Sequence, residues 1–242
     1  MGRALQPRPR HWPSDTLPVE ALPLKALRDV RTSLRDSRDV LVHVDHGAGP
    51  RGAAAGGAQG ASRARVVGDI AATALTSERD AEALVRMLRS LQPSGSVLEL
   101  GTSLGVMTAH LVRTGWSVET WEGCPNTLAV AKAGWEALEI AHAVDAKLGT
   151  FSALMAANEA SMWDVAYLDG LHDGQATLDI LAWLAPRVRI GVVVDDIAWT
   201  ADMHRAWRRA QDLPEWRVSV SWRGRGVLLK APGMARQRVR LA

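Results

Sequence analysis

The chain has 242 residues, enough for one α/β domain with a short appendage or at most two small domains. Hydrophobic residues make up 47% and charged residues 23%, which excludes a wholly disordered chain; the single Cys124 excludes an intramolecular disulfide and a cysteine-cluster zinc site. The net charge of +3 conceals a gradient of +3 over residues 1–40, −8 over 41–202 and +8 over 203–242, so acid-dependent chemistry belongs to the middle of the chain.

No apolar run approaches the roughly 18–20 residues that span a bilayer, and Met1–Arg10 lacks the apolar centre of a signal peptide. The expectation is a cytoplasmic protein without a membrane partner. Residues 1–18, with Pro7, Pro9, Pro13 and Pro18 among arginines, read as an irregular basic arm. From Val19 to about Arg38, Leu24, Leu27, Val30 and Leu34 recur at helical spacing. Val40–Val44 is a candidate strand. Residues 46–62 are Gly/Ala-rich without periodicity and read as a loop, its Asp45–Gly49 end expected to close over a site. Thr76 or Ser77 caps a helix reaching Leu91, with Ala81, Leu84, Val85 and Leu88 on one face. Together, 19–92 form an N-terminal extension.

Beyond it strands and helices alternate, the pattern of a mostly parallel sheet covered on both faces. Strands are predicted at 96–100, 116–121, 143–148, 163–168 and 190–195. Helices are predicted at 103–114, 125–139, 151–160, 174–185 and 200–211. Trp216–Trp222 alternates, Gly224 and Gly226 supply a turn, and Val227–Lys230 follows, which is a hairpin. The expected architecture is a Rossmann-like, doubly wound seven-stranded α/β sheet over 93–232 with an antiparallel C-terminal hairpin, and a basic tail at 233–242.

Val97-Leu-Glu-Leu-Gly-Thr-Ser-Leu-Gly-Val-Met-Thr-Ala-His110 is a buried strand, a glycine turn and a helix start. Gly101 permits a tight turn, and the small residues up to Gly105 let a ligand approach the backbone. The spacing is not the dinucleotide G-x-G-x-x-G, which argues against an NAD-dependent oxidoreductase. Glu122 ends the second predicted strand, where a carboxylate can accept ribose hydroxyls; it equally suits a helix start.

The stretch Glu99–Gly105, followed by Trp121-Glu-Gly-Cys-Pro125, resembles class I S-adenosylmethionine-dependent methyltransferases, and Gly149-Thr-Phe151 is similar to their Gly-Asp-Phe segment, with Thr150 in place of Asp. Asp45–Gly49, Arg65–Ala71 and Asp195–Trp199 with Met203 and Trp207 further resemble a group of bacterial methyltransferase-like proteins. The resemblance implies S-adenosylmethionine as cofactor. It places Glu99, Gly101, Thr102, Ser103, Gly105, Glu122, Gly123, Thr150, Phe151 and Asp169 at the cofactor.

Asp169 closes the fourth predicted strand, and Asp195 and Asp196 close the fifth. Neighbouring strands lie about 4.8 Å apart, so these carboxylates can gather where α/β sheets bind ligands. Three converging anions call for protons or a cation, and oxygen ligands suit Mg²⁺. These positions resemble those of metal-dependent O-methyltransferases related to catechol O-methyltransferase, which implies Asp169, Asp195 and Asp196 as metal ligands and His172 as general base beside Asp169. Helix capping by Asp196 and a solvated His172 stay open as bland alternatives.

The resulting expectation is O-methylation of a small molecule, Mg²⁺-assisted. The rivals are an S-adenosylmethionine-binding protein with little catalysis and a nucleic-acid methyltransferase. Nucleic acid is disfavoured because no Asn/Asp-Pro-Pro-Tyr-type motif occurs. A homodimer is left open.

Overall fold

The computed structural model describes residues 22–46 and 61–241. In chain order these form α1 (Leu24–Asp36), β1 (Val40–Asp45), β2 (Ala61–Val66), α2 (Val67–Ala74), α3 (Glu78–Leu91), β3 (Ser96–Leu100), α4 (Val106–Val112), β4 (Ser117–Glu122) and α5 (Pro125–Ala137). They continue with β5 (Val144–Leu148), α6 (Phe151–Ala157), β6 (Trp163–Leu168), α7 (Gly174–Leu184), β7 (Val188–Val194), α8 (Ala201–Ala210), β8 (Val218–Trp222), β9 (Arg225–Leu229) and β10 (Gln237–Leu241).

Period-2 alternation in the central strands divides the apolar residues between two cores. Leu98, Leu100, Ala166, Leu168, Val192 and Val194 face α7 and α8 with the indoles of Trp121, Trp163 and Trp207. Val97, Val165, Tyr167 and Val193 face the other way, onto Leu27, Leu84, Leu88, Leu111 and Trp135 of α1, α3, α4 and α5. Burial on both faces is why these strands read as near-continuous apolar runs. With one Phe and one Tyr in the chain, indoles carry the aromatic packing: Trp121 and Trp163 meet edge to face at 6.1 Å, and Trp183 lies 5.8 Å from Trp121.

The main sheet has the order β10-β8-β9-β7-β6-β3-β4-β5. β7, β6, β3, β4 and β5 are parallel, and β9 runs antiparallel between β7 and β8. The strand order reverses between β3 and β6, so the crevice beyond their carboxyl ends is where such a sheet takes a ligand. The mostly parallel α/β sheet and the terminal hairpin match the expected fold. The sheet carries an eighth strand, because part of the basic tail is β10, paired in parallel with β8.

The N-terminal extension differs more. Residues 61–66, of which 61 and 62 fall in the expected loop and 63–66 in no predicted element, form β2 and pair antiparallel with β1 from Val40↔Val66 to Asp45↔Ala61. Arg63 and Arg65 hid this strand by interrupting its apolar pattern. α2 follows at once; its start is held by Val67 N–H to the Asp39 carbonyl and Gly68 N–H to the Ser37 carbonyl. Only a glycine fits at 68, since a Cβ would lie 2.7 Å from the Arg35 and Ser37 carbonyl oxygens. The helix expected from Val19 begins at Leu24, and Ser77 caps α3 by accepting the Asp80 N–H. The arm at 1–18 and most of loop 46–62 lie outside the described residues. No described helix is long and apolar enough to cross a membrane.

One cation ties the hairpin to the rest. Arg225 of β9 is buried and pairs with Asp195 after β7 at 3.0 Å and with Asp80 of α3 at 3.1 Å. Removing one partner of a buried pair strands the other charge. Arg225→Ala should therefore lose roughly 3–5 kcal/mol in chemical denaturation, and Arg225→Met with Asp195→Asn should recover most of it.

Candidate functional site

The turn after β3 is shaped by a close approach of two backbones. Gly101 has φ +107°, and a Cβ there would lie 1.9 Å from the Asp169 carbonyl oxygen. Its N–H donates to Trp121 and the Asp169 N–H donates to Leu100, so the ends of β3, β4 and β6 are locked together. Gly105, with φ +75°, serves a different purpose. Its carbonyl accepts the Trp135 Nε1–H at 2.9 Å, and a Cβ would press on that indole. Gly105 and Thr102 thus shape the loop from behind; Thr102 is buried and shares a 2.6 Å hydrogen bond with Thr120.

Two carboxylates brace the loop. Glu99 is fully buried, and its Oε2 accepts the Thr108 and Thr120 hydroxyls, each at 2.6 Å. Its Oε1 has no partner. Burial pushes its pKa up to about 7, against the lowering effect of the two hydroxyls. Glu99 supports the loop from below. Glu122 reaches the loop itself: one oxygen accepts the Ser103 N–H and the other the Cys124 N–H, both at 2.8 Å. Burial raises its pKa too, and these backbone donors oppose the rise.

A cavity of about 390 Å³ opens above the crevice, bounded by Gly101, Ser103, Glu122, Gly123, Phe151 and Asp169. Thr150 also borders it while capping α6 through the Ala153 N–H. Of the residues expected at a cofactor, Glu99, Thr102 and Gly105 are the three that do not line it. Phe151 packs against Gly170, where a Cβ would sit 3.1 Å from its ring. His43, which no motif singled out, and His46, of the Asp45–Gly49 segment, come from β1 and its end to close the opposite side. Of the segment expected to close over the site, Asp45 and His46 line the cavity; 47–60 lie outside the described residues.

The strand-end acids do not gather as one set. Asp195 is buried, and its Oδ2 accepts from Arg225 and the Tyr167 hydroxyl while its Oδ1 accepts the Asp196 N–H at 2.8 Å. These partners turn it away from the ligand cluster expected to include it. Among the described residues, the group able to gather on one ion is Asp169, His172 and Asp196, whose ligand atoms lie within 4.8 Å of one another. Asp195 stands outside this group, and His172 lies within it. Burial and then the charges of Asp195 and Asp196 hold the Asp169 pKa well above the ordinary carboxylate range. Burial lowers that of His172, against the pull of Asp196. The His172 ring stacks on Trp199 at 5.2 Å, with Nε2 3.9 Å from Asp196. His172 and Asp196 both have positive φ, at 46° and 54°, so both cluster residues sit in the sparsely populated left-handed region. Tyr167 and Arg225, which hold these acids, carried no signal in the sequence, because each matters only through partners distant in the chain; Trp199, which stacks on the imidazole, stood in the resembling Asp195–Trp199 segment without an assigned role.

Residues 98–197 match the family model described as a methyltransferase domain. The fold is that of the class I methyltransferases. An O-methyltransferase from Bacillus cereus in complex with SAH is similar with a TM-score of 0.55 and 16% identity, over 65% of this chain and 83% of that one. Cofactor-bound Rv0187 from MTB is similar with a TM-score of 0.56 and 18% identity, over 85% and 88%. The O-methyltransferase TomG from Streptomyces achromogenes, involved in tomaymycin synthesis and complexed with SAM, gives 0.51 and 18%, over 58% and 69%. At these identities the likeness is one of fold. A comparison with curated proteins finds no match.

Glu99 provides a test of the buried support. Its pKa rises from 4.5 unfolded to about 7 folded. Its contribution to stability is therefore full below pH 4.5 and is lost as pH climbs through 7, by up to about 3 kcal/mol. Glu99→Gln keeps the shape without the ionisation. Urea melts at pH 4.5 and 8 should show the wild type losing more stability than this variant across that interval.

Proposed function

We propose that this chain is an S-adenosylmethionine-dependent methyltransferase that methylates an oxygen of a small molecule. The observation that carries the reading is the junction of a cavity floored by the glycine turn and flanked by Glu122 with the Asp169–His172–Asp196 cluster at the same sheet edge. When bound, S-adenosylmethionine supplies an electrophilic methyl group on a sulfonium. The cavity suits it: Gly101 leaves no side chain in the crevice, and each Glu122 oxygen takes one backbone N–H and keeps lone-pair capacity for a ribose hydroxyl. Phe151 offers an apolar face for an adenine ring.

His172 is assigned to take the proton from the acceptor hydroxyl. Its lowered pKa keeps the imidazole neutral near pH 7, and the nearby carboxylates offset the imidazolium that forms. Asp169 and Asp196 are the residues that would hold a divalent cation. Mg²⁺ is commonly bound through one or two carboxylates while keeping several waters; the raised pKa of Asp169 comes from burial first and then from repulsion by Asp195 and Asp196, and a cation would relieve that repulsion. Such an ion would lower the pKa of an acceptor hydroxyl.

The cofactor assignment is tested by titration calorimetry with S-adenosylhomocysteine. Glu122→Gln, which keeps an acceptor oxygen for the loop, should weaken binding at least tenfold, in line with roughly 1.5–3 kcal/mol for a hydrogen bond to a charged group. Unchanged affinity would remove Glu122 from the ribose.

The chemistry is tested by separating proton transfer from cation binding. His172→Ala should lower kcat by roughly 10²–10⁴, with Mg²⁺ affinity in the presence of S-adenosylhomocysteine changed by less than about threefold. Asp196→Asn should do the reverse, weakening Mg²⁺ about tenfold and restoring turnover at high metal. An equal effect of both variants on metal affinity would make His172 a ligand and leave the base to another group.

A further inference from the structure

A second concavity of about 430 Å³ lies at the same edge of the sheet, across the Asp195–Trp199 loop from the first. It is bounded by α8, the β8–β9 turn and the end of β10. Three guanidinium-bearing residues from distant parts of the chain line it: Arg208, Arg223 and Arg240. Trp207, Trp222, His204, Gln211 and Ser221 supply the rest of the polar and aromatic wall, and no Asp or Glu is among the lining residues. Arg223 shares Asp80 with Arg225, at 3.4 Å. Arg208 and Arg240 have no side-chain partner among the described residues. β10 creates this arrangement, since its parallel register sets Leu241 opposite Trp222 and so brings Arg240 to the rim.

Arg208 and Arg240, which have no acid beside them among the described residues, repel one another unless an anion joins them, and planar guanidinium groups match phosphate oxygens in pairs. The volume is that of a small-molecule pocket. One loop separates the two concavities: Asp196 and Trp199 face His172, while Ile197 and Ala198 line the second groove. Asp196 and Ala198 are two residues apart, about 7 Å at full extension.

We propose that this groove is a phosphate site that seats the phosphate-bearing arm of a small acceptor molecule while its hydroxyl lies at Asp169, His172 and Asp196. The assignment of the arm to the acceptor rests on the methyltransferase reading; the phosphate site does not.

The test uses the full chain and inorganic pyrophosphate as probe, followed by calorimetry with and without saturating S-adenosylhomocysteine. The expected result is saturable binding at one site per chain, undisturbed by S-adenosylhomocysteine. Arg208→Gln with Arg240→Gln should weaken pyrophosphate at least tenfold and leave S-adenosylhomocysteine affinity unchanged; both side chains are exposed, so the fold should be kept. No saturable binding, binding indifferent to the double variant, or displacement of S-adenosylhomocysteine by pyrophosphate would overturn the proposal. So would single-stranded oligonucleotides binding more tightly in proportion to length, which would make the surface a nucleic-acid track. Pyrophosphate binding without any S-adenosylhomocysteine binding would keep the phosphate site and reject the methyltransferase reading.

Discussion

The sheet edge that holds the candidate site is crowded with acids, and the buried Arg225 is the cation that makes the crowding tolerable. Glu99, Glu122, Asp169, Asp195 and Asp196 all lie at or near the ends of β3, β4, β6 and β7. Carboxylates this close cannot all ionise in a buried setting without compensation. Arg225 compensates one of them, Asp195, with two nitrogens near 3.0 Å and the Tyr167 hydroxyl as a further donor. That pairing divides the acids by their partners. Asp195 becomes part of the structure, and Asp169 and Asp196 are left facing His172.

The same residue connects the site to distant elements. Arg225 belongs to the antiparallel strand β9, and its second partner, Asp80, lies in the first turn of α3 beside the Ser77 cap. Tertiary placement of the hairpin therefore decides which strand-end acid is paired with a cation. A second constraint acts from the other side: the β3 and β6 backbones approach so closely at Gly101 that no side chain fits. This keeps the crevice open for a ligand, while Trp135 fixes the far end of the loop through the Gly105 carbonyl.

The N-terminal extension contributes more than a cover for one core. β1 brings His43 and His46 to the rim of the cavity, and a Cβ at Gly123 would sit 2.5 Å from the His46 ring. The short sheet of β1 and β2 is anchored on the main body through Val42, whose carbonyl accepts the Asn126 side chain at 2.7 Å. Basic character at the chain's end is likewise put to structural use, since β10 extends the sheet and presents Arg240 beside Arg208 and Arg223.

Elements written in local pattern were legible without coordinates. β3 and β6 have the expected bounds, α3 starts after the expected Ser77 cap, and α5 starts at Pro125. The glycine turn, Glu122, Phe151 and Asp169 reach one cavity, because strand–turn–helix chemistry puts such residues at strand ends whatever the remaining packing. β2, α2 and β10 were not legible. Their arginines or short length erase periodicity, and they exist through partners supplied elsewhere: β1 for β2, the Ser37 and Asp39 carbonyls for α2, and β8 for β10. The local sequence by itself determined that acids would stand at the ends of parallel strands. Only the tertiary structure decided which of them would be neutralised, because the choice between Asp195 and its neighbours depends on where a guanidinium thirty residues away is buried.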